Sequence, residues 1–308
     1  MILRTWQLIA LGVVVSGGLY LAWPRDPELA EVQLRAGALD EGLRLLERVR
    51  RAAPQDEALR RRLGRAYEQA GRLGPAVGLL EEEAAKRPLT AEERARARRL
   101  ALAIGDPARA LALLTRPNQP APTTELAALV DLALQAGDLA TAIRLQRRLA
   151  DERPGVATLA RLRDLALGAG DPAGAVAAQR RLIGIAPTRA HRERLVELWV
   201  SAGDNAEALA AFEALGPAPG AEAAHHRRAA QLAEWAGLGA RAVPHWRALY
   251  ALEPELALGR KLLAALVAAK DPGALAFAGQ LAAEHPTDAA LRRDYAGLLL
   301  AAGRVDEA

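Results

Sequence analysis

The sequence predicts an all-α protein: an α-solenoid preceded by one membrane-spanning helix. Three observations support this fold class. The 308 residues are 51% hydrophobic but only 4% aromatic, and a chain rich in alanine and leucine favours helices over a β-sandwich or barrel. Residues 5–23 carry no charged side chain. Beyond them, a glycine and a proline each recur about every 33 residues, as in helical repeat proteins.

The uncharged segment near the N-terminus has the length of a transmembrane helix. Its roughly 18–20 residues would extend about 27–30 Å, the thickness of the hydrocarbon core of a bilayer. Trp6 lies at one end, and Tyr20 and Trp23 lie at the other, where aromatic rings favour the membrane interface. Arg4 precedes the segment, so the positive-inside rule places the N-terminus in the cytoplasm. We therefore predict a signal-anchor over residues 1–24, with the rest of the chain outside the cytoplasm.

Two other interpretations of this segment exist. Ser16 and Gly18 are small residues that could stand at positions −3 and −1 of a cleaved signal peptide, although the apolar run continues to Trp23. A buried core helix is the third possibility. The anchor and the signal peptide both predict that the remainder is exported.

The repeat is defined by two markers that stay in phase. Each proline follows its glycine by 16 or 17 residues, and Lys270 occupies the one position where the glycine is missing. The glycines are Gly37, Gly71, Gly105, Gly137, Gly170, Gly203, Gly237 and Gly303, and the prolines are Pro54, Pro88, Pro122, Pro154, Pro187, Pro219, Pro254 and Pro286.

Each unit between these markers predicts a pair of helices. The glycine ends the first helix because it accepts a left-handed backbone conformation. Aspartate often follows as an N-cap, and in three units a proline then opens the second helix, at Pro107, Pro172 and Pro272. A small residue five positions after the glycine lets the two helices approach closely. These small residues are Gly42, Ala76, Ala110, Ala142, Ala175, Ala208 and Ala242.

The unit resembles the tetratricopeptide repeat (TPR), and the resemblance covers residues 25–308. It implies a right-handed superhelix of about eight and a half repeats, with the first helix of each pair lining the concave side. One departure is Leu275, which replaces the small residue of the eighth unit. Another is the position seven residues before the turn, where five units carry a larger residue than the family pattern. These residues are Arg98, Val130, Arg163, Val196 and Leu263.

Two segments interrupt the rhythm, and the last unit is incomplete. Residues 116–122 and 216–220 contain prolines that shorten the second helix of the third and sixth units. They are either hinges or locally widened turns.

After Gly303 a second helix begins and stops at Ala308. A terminal helix without a partner exposes its apolar face, so Leu298, Leu299 and Leu300 would lack contacts. We expect the natural chain to continue beyond a truncated ninth repeat.

The sequence offers little for chemistry. It has no cysteine and only two serines, and it lacks the Walker, Rossmann, HExxH and GxSxG motifs. Adjacent His225 and His226 would point about 100° apart on a helix, so we interpret the histidines as surface residues and predict no metal site. Basic and acidic residues, 41 and 37 in number, are interspersed, which does not favour nucleic acid. We predict a protein without catalytic residues, cofactor or nucleic-acid partner.

The predicted concave groove changes charge along its length. The residue six positions before each turn glycine faces this groove in the family. These positions and their neighbours give a basic stretch, formed by Arg61, Arg62, Arg65, Arg96 and Arg99, and then an acidic stretch, formed by Asp131, Asp164, Glu193 and Glu197. The gradient either guides a partner or is ordinary solvated charge. The asparagine that carboxylate-clamp receptors of this family use is absent, which disfavours binding of chaperone tails.

The chain is similar to the N-terminal part of exopolysaccharide-export scaffolds of the PelB type. Three features support this similarity: the anchor, the long degenerate array and the missing C-terminus. That resemblance implies an inner-membrane anchor, repeats in the periplasm, and a native chain that extends to the outer membrane. The implied partners are a periplasmic polysaccharide-modifying enzyme and inner-membrane synthesis components, with weak contact to the polysaccharide. The main alternative is a membrane-anchored periplasmic chaperone or cytochrome-maturation subunit that binds extended peptides. A lipopolysaccharide-assembly regulator would need the opposite topology and a cysteine-rich metal knuckle.

Overall fold

A computed structural model describes residues 26–116 and 120–307 of the chain. These residues form seventeen α-helices and no strand, which confirms the all-α prediction. The predicted anchor over residues 1–24 lies outside the described residues. Within the described ranges, no helix combines the length and the apolar character needed to cross a bilayer. The described residues divide into two compact units, with the boundary between Leu145 and Gln146.

The first unit contains helices α1 to α7, and each of them packs against its neighbour along the chain. The helices are α1 (Asp26–Arg35), α2 (Leu39–Ala52), α3 (Glu57–Gln69), α4 (Leu73–Lys86), α5 (Ala91–Ala103), α6 (Pro107–Leu114) and α7 (Thr123–Gln135). The division between the units falls inside the next helix, α8 (Leu139–Glu152). It coincides with neither of the two proline-rich interruptions.

The second unit contains helices α9 to α17, which also pack consecutively. The helices are α9 (Val156–Gly168), α10 (Pro172–Ile185), α11 (Arg189–Ser201), α12 (Asn205–Leu215), α13 (Glu222–Trp235), α14 (Gly239–Leu252), α15 (Leu256–Ala268), α16 (Ala274–Glu284) and α17 (Ala289–Ala301). A short 3-10 helix, Val305–Glu307, follows. In both units the first and second helices alternate as the repeat predicts.

The turn between the paired helices has one geometry throughout. All eight marker glycines have φ between 69° and 82°, and Lys270, which stands in for the ninth, has φ 53°. In the second repeat the Gly71 N–H donates to the Glu68 carbonyl at 3.0 Å, and the Arg72 N–H donates to the Tyr67 carbonyl at 2.8 Å. This pair of hydrogen bonds is the Schellman motif, which satisfies carbonyls at a helix end. The predicted glycine turn is confirmed.

Two of the three predicted proline starts are confirmed. Asp106 and Asp171 accept hydrogen bonds from backbone N–H groups three residues on, at 2.9 and 2.8 Å, and Pro107 and Pro172 open α6 and α10. The prediction for Pro272 is wrong, because α16 begins only at Ala274. There the Asp271 carboxylate accepts from the Gly273 N–H at 2.7 Å, and the bonded turn takes up the residues that would have begun the helix.

The predicted close approach of paired helices is confirmed. Six of the seven small residues five positions after the glycine are alanines with no exposed surface: Ala76, Ala110, Ala142, Ala175, Ala208 and Ala242. The seventh is Gly42, where an added Cβ would lie 2.6 Å from the Leu34 side chain. Leu275, the predicted exception, is half-buried, and Ala278 is 1% exposed on the same helix.

Helices α11 to α16 share one apolar core, and Trp246 is its largest fully buried side chain. The Trp246 ring is fully buried, and its indole N–H donates to the Glu234 carboxylate at 2.7 Å. In the fifth repeat the equivalent position, nine residues after the turn glycine, is a buried glutamine. Gln179 donates to the His191 carbonyl at 2.6 Å and accepts from Arg163 at 2.9 Å. Both polar ends are therefore satisfied, as burial requires.

Both predicted interruptions shorten a second helix. Helix α6 has 8 residues and α12 has 11, whereas α10 and α14 have 14. In each case an arginine of the repeat's first helix reaches the C-terminal end of the shortened helix. Arg94 lies 3.4 Å from the Leu114 carbonyl, and Arg189 donates to the Gly216 carbonyl at 3.0 Å. The sequence did not indicate these caps, because the arginines lie more than 19 residues before the carbonyls that they contact.

The last helical pair corrects one expectation. Of the three leucines expected to lack contacts, Leu299 is 1% exposed and Leu298 packs against the core that contains Leu263 and Leu291. Only Leu300, at 54%, is substantially exposed. The expectation failed because α17 buries these side chains against the preceding repeat.

Replacing Lys270 by glycine should raise the free energy of unfolding by about 0.5–1 kcal/mol. The left-handed backbone costs a non-glycine residue roughly 1–2 kcal/mol, and the larger unfolded-state entropy of glycine cancels part of the gain. Gly71→Ala should lower the stability by about 1 kcal/mol. Urea unfolding followed by circular dichroism measures both changes. Lys270→Ala is the matched control, because it removes the charge and keeps the strained backbone. A gain in this control equal to that in Lys270→Gly would contradict the argument.

Candidate functional site

The predicted groove positions of the first three repeats lie together in the first unit. They line two surface grooves that share Arg65. The first groove, of about 230 Å³, is lined by Glu31, Leu34, Arg35, Leu46, Arg62, Arg65, Ala66 and Gln69. The second groove, of about 410 Å³, is lined by Arg61, Arg65, Glu68, Arg87, Thr90, Glu92, Glu93, Arg96 and Arg99. All five arginines of the predicted basic stretch therefore line one or both grooves.

The five arginines fall into two groups by their ion pairs. Arg96 and Arg99 both contact Glu68, Arg96 through a short Nε to Oε1 hydrogen bond and Arg99 at 3.7 Å. Arg96 is mostly buried, and its guanidinium packs over Gly64. An added Cβ on Gly64 would lie 2.9 Å from Arg96 Nη2. Glu68 and Gly64 therefore fix the position of Arg96 at the floor of the second groove.

Arg61, Arg62 and Arg65 form the other group, which we call the arginine strip. All three are exposed, and no ion pair joins any of them to another residue in the described part of the chain. They lie within 1.5 turns of α3, and like charges at this spacing destabilise a helix slightly. The strip lies between the two grooves and presents three guanidinium groups that form no ion pair within the described structure.

One wall of the second groove is a rigid ion pair. Arg87 donates to Glu93 through both terminal nitrogens, at 2.9 and 2.7 Å. Glu93 also accepts from the Thr90 N–H in a capping box at the start of α5. The Arg87 hydrogen bond, with help from Thr90, lowers the pKa of Glu93 to about 2. This carboxylate stays ionised and bound to Arg87, so it does not neutralise the arginine strip.

The acidic residues of the predicted gradient are spread over both units. Asp131 is exposed on α7 of the first unit. In the second unit each acidic residue pairs with an arginine of its own helix: Asp164 with Arg163 at 2.8 Å, Glu193 with Arg189 at 2.8 Å, and Glu197 with Arg194 at 2.7 Å. The sequence did contain a signal for these pairs, since arginine stands one, four or three residues earlier. The gradient as a whole stays a prediction.

One histidine of the second unit, His225, differs from the prediction of surface residues. His225 is 8% exposed, and its ring stacks on Phe212 with 4.7 Å between the ring centres. Burial lowers the pKa of His225, and burial followed by the charge of His245 lowers the pKa of His226. His245 on α14 lies beside His226 on α13, with 3.1 Å between their Nδ1 atoms. The 19-residue separation hid this contact from the sequence.

No group of three or more His, Cys, Asp and Glu side chains is arranged to hold a metal ion, as far as the described residues extend. The histidines nevertheless form a compact cluster. The rings of His225, His226 and His245 lie 5.5–6.3 Å apart, centre to centre. Glu213 of α12 completes the cluster, with its Oε1 at 3.1 Å from His245 Nε2.

No family model matches the chain, and no curated protein matches it. Several solved structures are similar in part. MamA from Desulfovibrio magneticus RS-1 is 16% identical, covering 54% of this chain and 97% of its own, with a TM-score of 0.31. A tetratricopeptide repeat protein from Parabacteroides merdae is 16% identical over 78% of this chain and 97% of its own, with a TM-score of 0.30. A structure of Naa15/Naa10 bound to HypK-THB is 15% identical over 94% of this chain and 52% of its own, with a TM-score of 0.36.

Structural similarities at these TM-scores and sequence identities do not support a conclusion about function. The class of protein is defined by the chain's own structure, in which helical pairs repeat every 32–34 residues around a left-handed turn. The TPR-like repeat is thereby confirmed as the fold. The right-handed superhelix stays a prediction.

The ion pair of Glu93 should make stability depend on acid pH. The folded pKa is about 2, below the ordinary value of 4.5, so the unfolded chain takes up the proton first. The stabilisation of roughly 2–3 kcal/mol is present above about pH 5 and is lost as the pH falls toward 2.

The control is Glu93→Gln, which keeps a capping side chain but cannot titrate. Urea unfolding at pH 3 and pH 6 should show a smaller loss of stability in this variant than in the unaltered chain. Equal losses in the two proteins would mean that Glu93 is not held by Arg87 in solution.

Proposed function

We propose that this protein is a non-enzymatic scaffold that binds other proteins through the two grooves of its first unit. The arginine strip is the observation that supports this most directly. Arg61, Arg62 and Arg65 place three guanidinium groups on an exposed ridge with a groove on each side. A helical repeat array commonly binds an extended or helical segment of its partner along such a surface.

The chemistry of the strip favours a partner segment that carries carboxylates. Arginine binds a carboxylate through two parallel hydrogen bonds, which gives orientation as well as attraction. Exposed pairs of this kind contribute only about 0–1 kcal/mol each. Their main effects are therefore on the association rate and on the choice of partner. Glu68 already holds Arg96 and Arg99, so the strip is the part of the basic stretch that is free to bind.

We further propose that residues 1–24 tether the scaffold to the inner membrane, with the repeats in the periplasm. This rests on the uncharged run of residues 5–23 and on Arg4 before it. The similarity to PelB-type scaffolds suggests a role in exopolysaccharide secretion. In that role the array recruits a polymer-modifying enzyme, contacts inner-membrane synthesis components, and guides the polymer to an outer-membrane pore with weak contact of its own.

Reversing the charge of Arg61, Arg62 and Arg65 together to glutamate should slow binding of an acidic segment. The probe is a fluorescein-labelled, glutamate-rich peptide of about twelve residues. Stopped-flow fluorescence at low salt should show association about tenfold slower, with a weaker dependence on salt. A lysine-rich peptide of the same length should not bind the unaltered chain.

The matched control reverses Arg44, Arg48 and Arg51 on α2. These residues are also exposed and unpaired within the described ranges, belong to the same unit, and line neither groove. The control changes the net charge by the same amount, so an equal slowing in both variants would contradict docking at the strip. Circular dichroism verifies that each triple variant is folded.

The proposed topology has its own test. A reporter that is active only in the periplasm, fused after Ala308, should be active because the charge before the span keeps the N-terminus in the cytoplasm. The same fusion without residues 1–24 should lose that activity. Activity of a cytoplasm-only reporter at Ala308 would refute the tether and its orientation without affecting the groove proposal.

A further inference from the structure

The histidine cluster of the second unit contains an arrangement that the scaffold function does not use. Two imidazoles from different helices, His226 of α13 and His245 of α14, direct their Nδ1 atoms at each other across 3.1 Å. The opposite nitrogen of His245 lies 3.1 Å from the Glu213 carboxylate of α12. Three consecutive helices of the array thus contribute to one chain of polar contacts.

The spacing of the two Nδ1 atoms matches the spacing of two ligands on one metal ion. Histidine nitrogens bind Zn²⁺ at about 2.0–2.1 Å, so two nitrogens 3.1 Å apart would subtend an angle of roughly 100° at a shared ion. That angle lies between the values of octahedral and tetrahedral coordination.

The surroundings also match those of a metal-binding histidine. Such a histidine usually donates its second ring N–H to a carboxylate, which fixes the tautomer and strengthens the ligand. Glu213 is placed to accept that bond from His245, and Arg241 holds Glu213 from its other oxygen. The His245 side chain is 14% exposed, so the ligand is held in place by packing and remains accessible to solvent.

We propose that His226 and His245 form an open binding site for a divalent transition-metal ion of the type that prefers imidazole, such as Zn²⁺ or Cu²⁺. Without the ion, His226 Nδ1 donates its proton to His245 Nδ1, whose Nε2–H faces Glu213. When the ion binds, His226 carries that proton on Nε2 instead, so that both Nδ1 lone pairs are free. Glu213 is a positioning residue, and the remaining coordination positions are left for water or for a ligand that a bound partner supplies.

The site can be tested with the untagged 308-residue chain after treatment with EDTA. Calorimetric titration with ZnCl₂ should give one ion per chain, and the Cu²⁺ complex should show electron paramagnetic resonance couplings to two imidazole nitrogens. His226→Ala and His245→Ala should each weaken binding at least tenfold, and Glu213→Gln should weaken it by about tenfold. His191→Ala and His285→Ala, which change histidines outside the cluster, should bind as the unaltered chain does.

Three results would overturn the proposal. One is the absence of zinc binding by the folded chain. Another is binding that stays within twofold of the original in His245→Ala, which would assign the metal to scattered surface groups. The third is a copper spectrum with a single nitrogen ligand. Circular dichroism of each variant separates loss of the site from loss of the fold.

Discussion

The left-handed turn after each first helix is the constraint on which the array depends. A positive φ at one residue ends a helix, satisfies its last carbonyls, and sends the chain back along the helix that it has just left. The direction in which the chain returns then determines which residue of the second helix lies closest to the first helix. That residue is the buried alanine five positions on, as at Ala175 and Ala208. The alternation of helices follows, and with it the alignment of first helices that creates the grooves beside Arg65.

The same residue type serves two purposes on adjacent positions of α3. Arg60 is 4% exposed and pairs with Glu83 of α4 at 2.6 Å, so it joins two helices. Arg61 and Arg62 follow directly, and a rotation of about 100° per residue brings them to the surface. Removing one partner of a buried pair usually costs about 3–5 kcal/mol, whereas a single exposed charge has little effect on stability. In this repeat, orientation alone therefore separates the buried arginine that joins two helices from the exposed arginines of the strip.

Sequence patterns predicted the features that depend on local conformation. The glycine turns and the helix starts at Pro107 and Pro172 follow from the effect of one residue on its own backbone. The small residues follow from the close approach of the paired helices five positions after the turn glycine. Pro272 shows where such reasoning fails, because Asp271 accepts a hydrogen bond from the Gly273 N–H and the helix begins only at Ala274. The position of the basic stretch was an expectation from the resemblance to the TPR family, and its five arginines line the two grooves of the first unit. Which arginines are neutralised depends on Glu68, and the contact of His226 with His245 depends on packing between helices. Neither contact can be inferred from the spacing of residues along the sequence.

Lys270 shows what the turn requires and what it does not. A side chain added to Gly37, Gly71 or Gly105 would meet no atom within 4 Å, so these positions need a backbone conformation and not free space. Lys270 adopts that conformation at φ 53° without glycine, and the helices on both sides of it remain paired. Substitution at the most diagnostic position of the repeat therefore costs some stability but keeps the architecture. In an array of many similar turns, each substitution of this kind lowers the stability only slightly. The sequence pattern that identifies the repeat can therefore disappear while the fold is retained.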